Sequence, residues 1–411
     1  MSKRKTPILR FKGFNNAWEQ RKLGDIVTPI KTYSLTRAFE TLKNTNFKYI
    51  HYGDIHTGKA KIIQNPSTLP SIKKNDNYIT LKPNDIIIAD ASEDYKGIAD
   101  AAILKDCGNY KIVAGLHTIA IRPNSCNVSS FIYILLGRDD FKHWGYKVGT
   151  GLKVFGITLK NFLKYKTFYP SLNEQKAISN LLNLVDNLLD LQKRKYEELK
   201  LLKKALLQNM FANKTAYPKL RFNGFNSKWK SYKLKEIGKI VTGNTPPTKD
   251  LNNYSDHGML WVTPTDITGP IIRNTVKRLS PIGITKARTA KEGSILVTCI
   301  ASIGKNALTE TRCGFNQQIN AVIPNQYNDS YFLLIQSKFW SKKAKQIAAK
   351  GTIKIVNKKD FSNLSFLYPK LKEQKNMSSF FKLLDMVTTF QMKNLIELKK
   401  IKHFLLQNMF I

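Results

Sequence analysis

One stretch of this chain occurs twice, and both copies have the spacing of a long helix. Residues 171–213 read SLNEQKAISNLLNLVDNLLDLQKRKYEELKLLKKALLQNMFAN, and residues 370–411 read KLKEQKNMSSFFKLLDMVTTFQMKNLIELKKIKHFLLQNMFI. Each copy follows Tyr-Pro (Tyr169-Pro170 and Tyr368-Pro369), carries Glu-Gln-Lys near its start and contains Leu-Leu-Gln-Asn-Met-Phe near its end. An offset of 199 pairs Pro170 with Pro369, Asp186 with Asp385 and Phe211 with Phe410, so the two copies align without a gap. Fixed-period self-similarity of this kind marks a repeated architecture.

In the first copy Ile178, Leu181, Val185, Leu188, Gln192, Lys195, Leu199, Leu202 and Leu206 alternate steps of three and four, the seam of a coiled coil. The second copy repeats the seam at Met377, Phe380, Leu384, Val387, Gln391, Asn394, Leu398, Ile401 and Leu405. Leu182, Leu189 and Tyr196 widen the stripe, so more than one surface is expected to pack here. Pro170 bars a helix from running further upstream, and Ser171 with Glu174 fits a capping box. At 1.5 Å per residue, about 38 residues of helix extend roughly 57 Å.

The duplication extends to the sequences ahead of the helices. Residues 7–26 (PILRFKGFNNAWEQRKLGDI) and 218–237 (PKLRFNGFNSKWKSYKLKEI) are identical at 11 of 20 positions, including Phe11/Phe222, Gly13/Gly224, Phe14/Phe225 and Trp18/Trp229. This reads as a short apolar arm opening each of two globules. Inside the globules the match is looser. Ile50 to Gly58 corresponds to Trp261 to Gly269, with a one-residue shift inside the stretch that sets Asp54 opposite Asp266, and Leu116 to Pro123 corresponds to Gln317 to Pro324. Ile86 to Ala89 and Ile295 to Thr298 read as buried strands, each running into a polar turn. Apolar framework positions recur while the polar positions between them differ, as expected of one fold carrying two different recognition surfaces.

The charge narrows the choice of ligand. Lys and Arg number 67 against 29 Asp and Glu, a net charge of +38, and no basic tail carries the surplus. A folded surface that basic suits a polyanion, nucleic acid first. No apolar run reaches membrane-spanning length, and the N-terminus lacks a signal-peptide core. Cys107, Cys126, Cys299 and Cys313 stand singly, which points to reduced thiols in a cytoplasmic protein. Catalytic signatures are missing from the sequence: no GxxxxGK[ST] phosphate loop, no Asn-Pro-Pro-aromatic or Asp-Pro-Pro-Tyr tetrapeptide for methylating an amine, and no metal spacing among six histidines. Gly149-Thr150-Gly151, flanked by Lys147 and Lys153, has a counterpart at Gly351-Thr352, where main-chain N–H groups could cradle a backbone phosphate.

These residues resemble the specificity subunit of type I restriction-modification systems, on three features: two arms of the form L-R-F-x-G-F-x-x-x-W, two P-x-x-x-E-Q-K helix starts, and two variable blocks between. The resemblance implies an α+β chain of two similar target recognition domains separated by two long antiparallel helices in a coiled coil, with pseudo-twofold internal duplication. The expected boundaries are 1–169 and 214–368 for the recognition domains and 170–213 and 369–411 for the spacer helices. It also implies a non-catalytic protein that reads a bipartite DNA target and directs adenine methylation and restriction. The implied partners are double-stranded DNA, two methyltransferase subunits and, in the full complex, two translocase-nuclease subunits. No cofactor belongs to this chain itself; the methyltransferases would bind S-adenosylmethionine, and the nucleases ATP and Mg.

Loop position and polarity give the expected DNA contacts. They are Tyr52, His56, Ser92, Lys147, Thr150 and Lys153 in the first domain, and Thr263, Thr265, Ser302, Lys350, Thr352 and Lys354 in the second. The mid-seam pair Gln192 and Gln391 is expected to fix the coiled-coil register, because a slipped register leaves an amide facing Leu or Val. Gln192→Leu with Gln391→Leu should therefore raise thermal stability while loosening the half-site spacing tolerated. Retention of a single strict spacing by the double variant removes the register role. Two other readings fit the composition: a stand-alone nucleic-acid-processing enzyme, which would turn over substrate without partners, and a basic RNA-associated structural protein, whose duplex binding would lose specificity at moderate salt.

Overall fold

The computed structural model describes residues 6–74, 77–93, 97, 99–151, 155–213, 215–349 and 355–411. The chain divides into two compact units, Met1–Lys193 with Asn394–Ile411, and Arg194–Lys393. Both long helices form, Leu172–Met210 and Leu371–Asn408, and each contributes one part to each unit.

The first unit is built on a five-stranded sheet in the order Val27–Ile30, Thr118–Pro123, Ile86–Ala89, Ala101–Leu104, Ile62–Ile63. All its pairs are antiparallel except the last. The apolar run at Ile86–Ala89 is buried on both faces. Ile86 and Ile88 join the core that holds the long-helix residues Ile178 and Leu182, while Ile87 and Ala89 face a second core with Ile50, Ile55 and Ile112. Side chains alternate across a strand, so one four-residue run ties two cores together. The second unit repeats the strand order with Gly238–Thr242, Ile319–Pro324, Ile295–Thr298, Asn306–Thr309 and Ile271–Ile272. There Ile295 and Val297 face one core and Leu296 the other.

The repeated arms and helix starts prove to be two halves of one lock, made in each unit. Arg10 forks onto the Glu174 carboxylate at 2.6 and 2.8 Å, and Arg221 forks onto Glu373 at 2.7 and 2.7 Å. The capping box read at Ser171 is only half made: the Glu174 N–H donates to Ser171 Oγ at 3.4 Å, but the Glu174 carboxylate is taken by the arginine. The neighbouring glutamine closes the strand-to-helix corner. Gln175 Oε1 accepts from Val128 N and its amide donates to Asn127 and Pro170; Gln374 does the same with Asp329 N, Asn328 and Pro369. The arm also binds the end of a long helix, through Leu9 N to Asn408 O (2.8 Å) in the first unit and Leu220 N to Asn209 O (2.9 Å) in the second.

The aromatics of the repeated motifs are core. Phe410 stacks on Phe131 at 5.3 Å with Trp18 edge-on at 6.3 Å, and Phe211 stacks on Phe332 at 5.5 Å with Trp229 edge-on at 6.2 Å. Within each unit the two helix segments run antiparallel. In the first, Met409 and Phe410 share a core with Ile178 and Leu182 while Lys402 pairs with Asp186; in the second, Lys203 pairs with Asp385. Gln192 and Gln391 are half-buried on their helices.

The lock makes a stability prediction. Glu174 is almost fully buried, so Arg10→Ala strands a carboxylate in the interior and should cost about 3–5 kcal/mol. The expected result is an early urea transition of the first unit alone, with Arg221→Ala acting likewise on the second. A shift below about 0.5 kcal/mol would reduce the clamp to a surface pair.

Candidate nucleic-acid interface

In each unit the loops expected to read DNA gather at one end of the five-stranded sheet, where Ile86–Ala89 or Ile295–Thr298 finishes. In the first unit, Asp54 folds the loop after Phe47–Ile50 by accepting from His51 N at 3.1 Å, and Arg37 holds its other oxygen at 2.8 Å. This leaves Tyr52 half-buried, its ring 5.4 Å from His117 and 5.9 Å from His56. His56 bonds Ala91 O through Nε2 (2.8 Å) and Asp100 through Nδ1 (3.3 Å), and Lys142 also reaches Asp100 at 2.5 Å. The bond to Asp100 raises the His56 pKa. Burial pushes the Asp100 carboxyl up, but the His56 and Lys142 donors outweigh it and leave it lowered.

Ser92 lies in the short strand Ala91–Ser92, which pairs with Phe155–Gly156, and Thr150 in turn exchanges both backbone bonds with Gly156. Tyr52, His56, Ser92 and Thr150 are thus brought together, with Lys147 exposed in the last turn of the helix Asp139–Val148. Two details differ from expectation. Ser92 is buried, with 4 % of its surface exposed, so its hydroxyl faces the fold. The N–H groups of Gly149 and Thr150 are already bound to Gly145 O (2.8 Å) and Gly156 O (3.0 Å), so neither is available to a phosphate. Lys153 lies outside the described residues.

The second unit uses the same plan with different side chains. Asp266 folds its loop by accepting from Thr263 N (2.8 Å) and Thr263 Oγ1 (2.6 Å), and Val276 N binds its other oxygen at 2.9 Å. Asp54 and Asp266 therefore recur for one structural reason: each receives the N–H three residues before it. The Thr263 and Thr265 hydroxyls lie 2.8 Å apart. Ser302 is exposed in the turn after Ile295–Thr298, and Lys305 fastens that turn to the first loop through Pro264 O at 2.9 Å. Thr263, Thr265 and Ser302 are thus drawn to one sheet end. Lys350, Thr352 and Lys354 lie outside the described residues.

Sequence reasoning missed several residues at these sheet ends. His117 is held in the left-handed region (φ 53°), strained for a residue with a side chain, and its Nδ1 lies 3.3 Å from Asp90. Burial raises the Asp90 carboxyl, with the His117 contact opposing. In the second unit the matching turn carries Gln317, which accepts from the Thr245 hydroxyl at 2.5 Å, and the loop after Gly238–Thr242 adds Asn244, whose side-chain oxygen receives Arg288 N at 2.6 Å. Both turns fall in the stretches Leu116–Pro123 and Gln317–Pro324, where framework matched and polar residues did not, so the signal was present. Among the described residues no group of side chains could hold a metal ion, and no helix is long and apolar enough to cross a membrane.

The family model for the type I restriction modification DNA specificity domain matches this chain twice, over residues 15–201 and 226–400. The chain belongs to that family. Specificity subunits are the non-catalytic, DNA-recognising members of type I restriction-modification enzymes, and the twinned arms, sheets and helices described above are consistent with one such subunit carrying two specificity domains. The chain is similar to the MjaVIII specificity subunit of Methanocaldococcus jannaschii (22 % identity, covering 93 % of this chain and 88 % of the relative). It is also similar to the putative MjaX specificity subunit of the same organism (21 % identity, 71 % of this chain and 69 % of the relative). Among solved structures it shares its fold with the type I S subunit from M. genitalium, at a TM-score of 0.64, 17 % identity and 99 % coverage of both chains.

Proposed function

We propose that each unit reads one half of a bipartite DNA target and that the chain thereby directs adenine methylation, and restriction where a nuclease subunit is present. The observation that carries this reading is the repeated sheet end: one framework, closed by Asp54 in one unit and Asp266 in the other, presenting His117 and Tyr52 in the first and Thr263, Thr265 and Gln317 in the second. Lysines and arginines supply salt-dependent affinity for the phosphates, and the polar loop residues reach base edges in the grooves. The residues proposed for this are Tyr52, His56, Lys147, Thr150 and Lys153, then Thr263, Thr265, Ser302, Lys350, Thr352 and Lys354, with His117, Asp90 and Gln317 added. Ser92 is retained as a support of the loop, given its burial.

The domain plan proposed for this activity has recognition domains at 1–169 and 214–368 and spacer helices at 170–213 and 369–411, with Gln192 and Gln391 setting the register that fixes half-site spacing. The working complex is proposed to hold two methyltransferase subunits and, when restricting, two translocase-nuclease subunits, in the cytoplasm. Large apolar side chains exposed on the long helices support a partner surface: Leu184 and Phe404 in the first unit, and Leu201, Leu383, Met386 and Phe390 in the second. Mapping methylated adenines across a genome with and without this chain tests the reading. A bipartite motif that disappears with the chain is expected; an unchanged methylation pattern refutes it.

A further inference from the structure

The second unit contains a cleft of about 480 Å³ that the DNA-reading surface does not use. Three walls form it: Leu334, Ile335, Ser337 and Lys338 from the helix Ser330–Ala348; Lys203, Asp385, Thr388 and Thr389 from the long helices; and Pro270 and Gly304 from loops beside the sheet with Asn306 from the start of the strand Asn306–Thr309. Asp385 is fully engaged, by Lys203 and by the Tyr331 hydroxyl at 2.7 Å. Lys338 lines the open side of the cleft, solvent-exposed, and makes no hydrogen bond or ion pair among the described residues. Its ammonium is lowered from its ordinary pKa by burial and by the nearby Lys203 charge, which Asp385 only partly offsets. Lys345 approaches the same cleft, since a side chain added at Gly304 (φ 88°) would meet it at 2.9 Å. The cleft thus holds Lys203, neutralised by Asp385, and Lys338, which has no partner, above an apolar floor of Pro270, Leu334 and Ile335, with Lys345 at its rim.

The comparison between units separates framework from addition. The ion pair recurs as Asp186 with Lys402 in the first unit. The corner bonds from Val128 N to Gln175 and from Asp329 N to Gln374 make residues 128 and 329 equivalent, which puts Gly137 where the second unit has Lys338. Gly137 ends its helix at Leu136, whereas the helix of the second unit runs on through Lys338 to Ala348. Lys338 is therefore not needed to build the fold that both units share.

We propose that this cleft binds a phosphoryl group, free or on a nucleic-acid backbone, with Lys338 as its principal ligand and Lys203 and the Thr389 hydroxyl as second contacts. An oxyanion there meets a positive charge that lacks a partner, and the apolar floor leaves room for the sugar that a backbone phosphate carries. A carboxylate is less suited, because Asp385 already occupies the planar acceptor position between Lys203 and Tyr331. The inference does not depend on the DNA-reading surface, since its first test contains no DNA.

Inorganic phosphate is titrated into the full chain at constant ionic strength and followed by ³¹P line broadening, for the parent, Lys338→Ala and Lys342→Ala, the last being a lysine one turn further along the same helix that does not line the cleft. Saturable binding that Lys338→Ala weakens at least tenfold and Lys342→Ala leaves unchanged is expected. Non-saturable binding, or an equal response in both variants, overturns the proposal. If Lys338→Ala melts early, Lys338→Gln replaces it. A second arm measures duplex affinity against salt. A fall in the slope by about one unit in Lys338→Ala alone assigns the group to the DNA backbone, and an unchanged slope alongside lost phosphate binding assigns it to free phosphate.

Discussion

Met386→Asp combined with Phe390→Asp should abolish the proposed assembly with methyltransferase subunits while leaving both units folded. The two residues lie one turn apart on the helix Leu371–Asn408, and 68 % and 63 % of their surfaces face solvent, so neither contributes to the core that holds Met377, Phe381 and Leu384. Folding therefore does not explain them, whereas burial against a partner does. Exposed aromatic and Met side chains of this kind become the anchors of interfaces, where truncation costs upwards of 2 kcal/mol each. Two carboxylates at the same positions add desolvation, so the association constant should fall on the order of a thousandfold or more. Sedimentation of the mixed subunits reads this directly. Undiminished assembly with unchanged melting would move the docking surface elsewhere.

A second large effect is expected at the strained turn of the first unit. His117→Ala should relax selection at one base position of one half-site, by about 1–3 kcal/mol, or roughly ten- to a hundredfold between competing bases. Its neighbours leave it half-exposed beside Tyr52, and its left-handed backbone is held by the sheet on one side and the Tyr52 N–H bond to Leu116 O on the other. Asp90→Ala should affect the same position, because the two side chains touch. Competitive binding with a panel of duplexes, varied one base at a time, separates this from simple loss of charge. A uniform weakening on every sequence, with no change in preference, would make His117 a phosphate contact or a purely structural residue.

The parts of the fold that were legible in the sequence are the parts that occur twice. The helices, the arms and the buried strands at Ile86 and Ile295 could be read because the same apolar spacing appears at two places. What the arms and helix starts do for each other was not legible. Arg10 and Glu174 both stood in quoted motifs, yet their contact spans 164 positions and depends on the helix start folding back onto the arm. The candidate interface was legible as loops, not as atoms. Nothing in Gly149-Thr150-Gly151 announces that its N–H groups are occupied, since one acceptor, Gly156, lies beyond the loop and is presented only because it pairs with Ala91. Ser92 looked like a loop residue because a two-residue strand has no periodicity to detect. His117 was overlooked because a histidine in an apolar stretch resembles core, and only its backbone angle and its Tyr52 and Asp90 neighbours mark it out.

The central claim is that two structurally independent reading surfaces share one framework. The most direct test exchanges residues 1–165 for the corresponding segment of a relative with a different target and sequences the methylated adenines that result. The account predicts a hybrid bipartite motif in which one half-site follows the donor while the other half-site and the spacing stay as they were. A change in both half-sites together would contradict it.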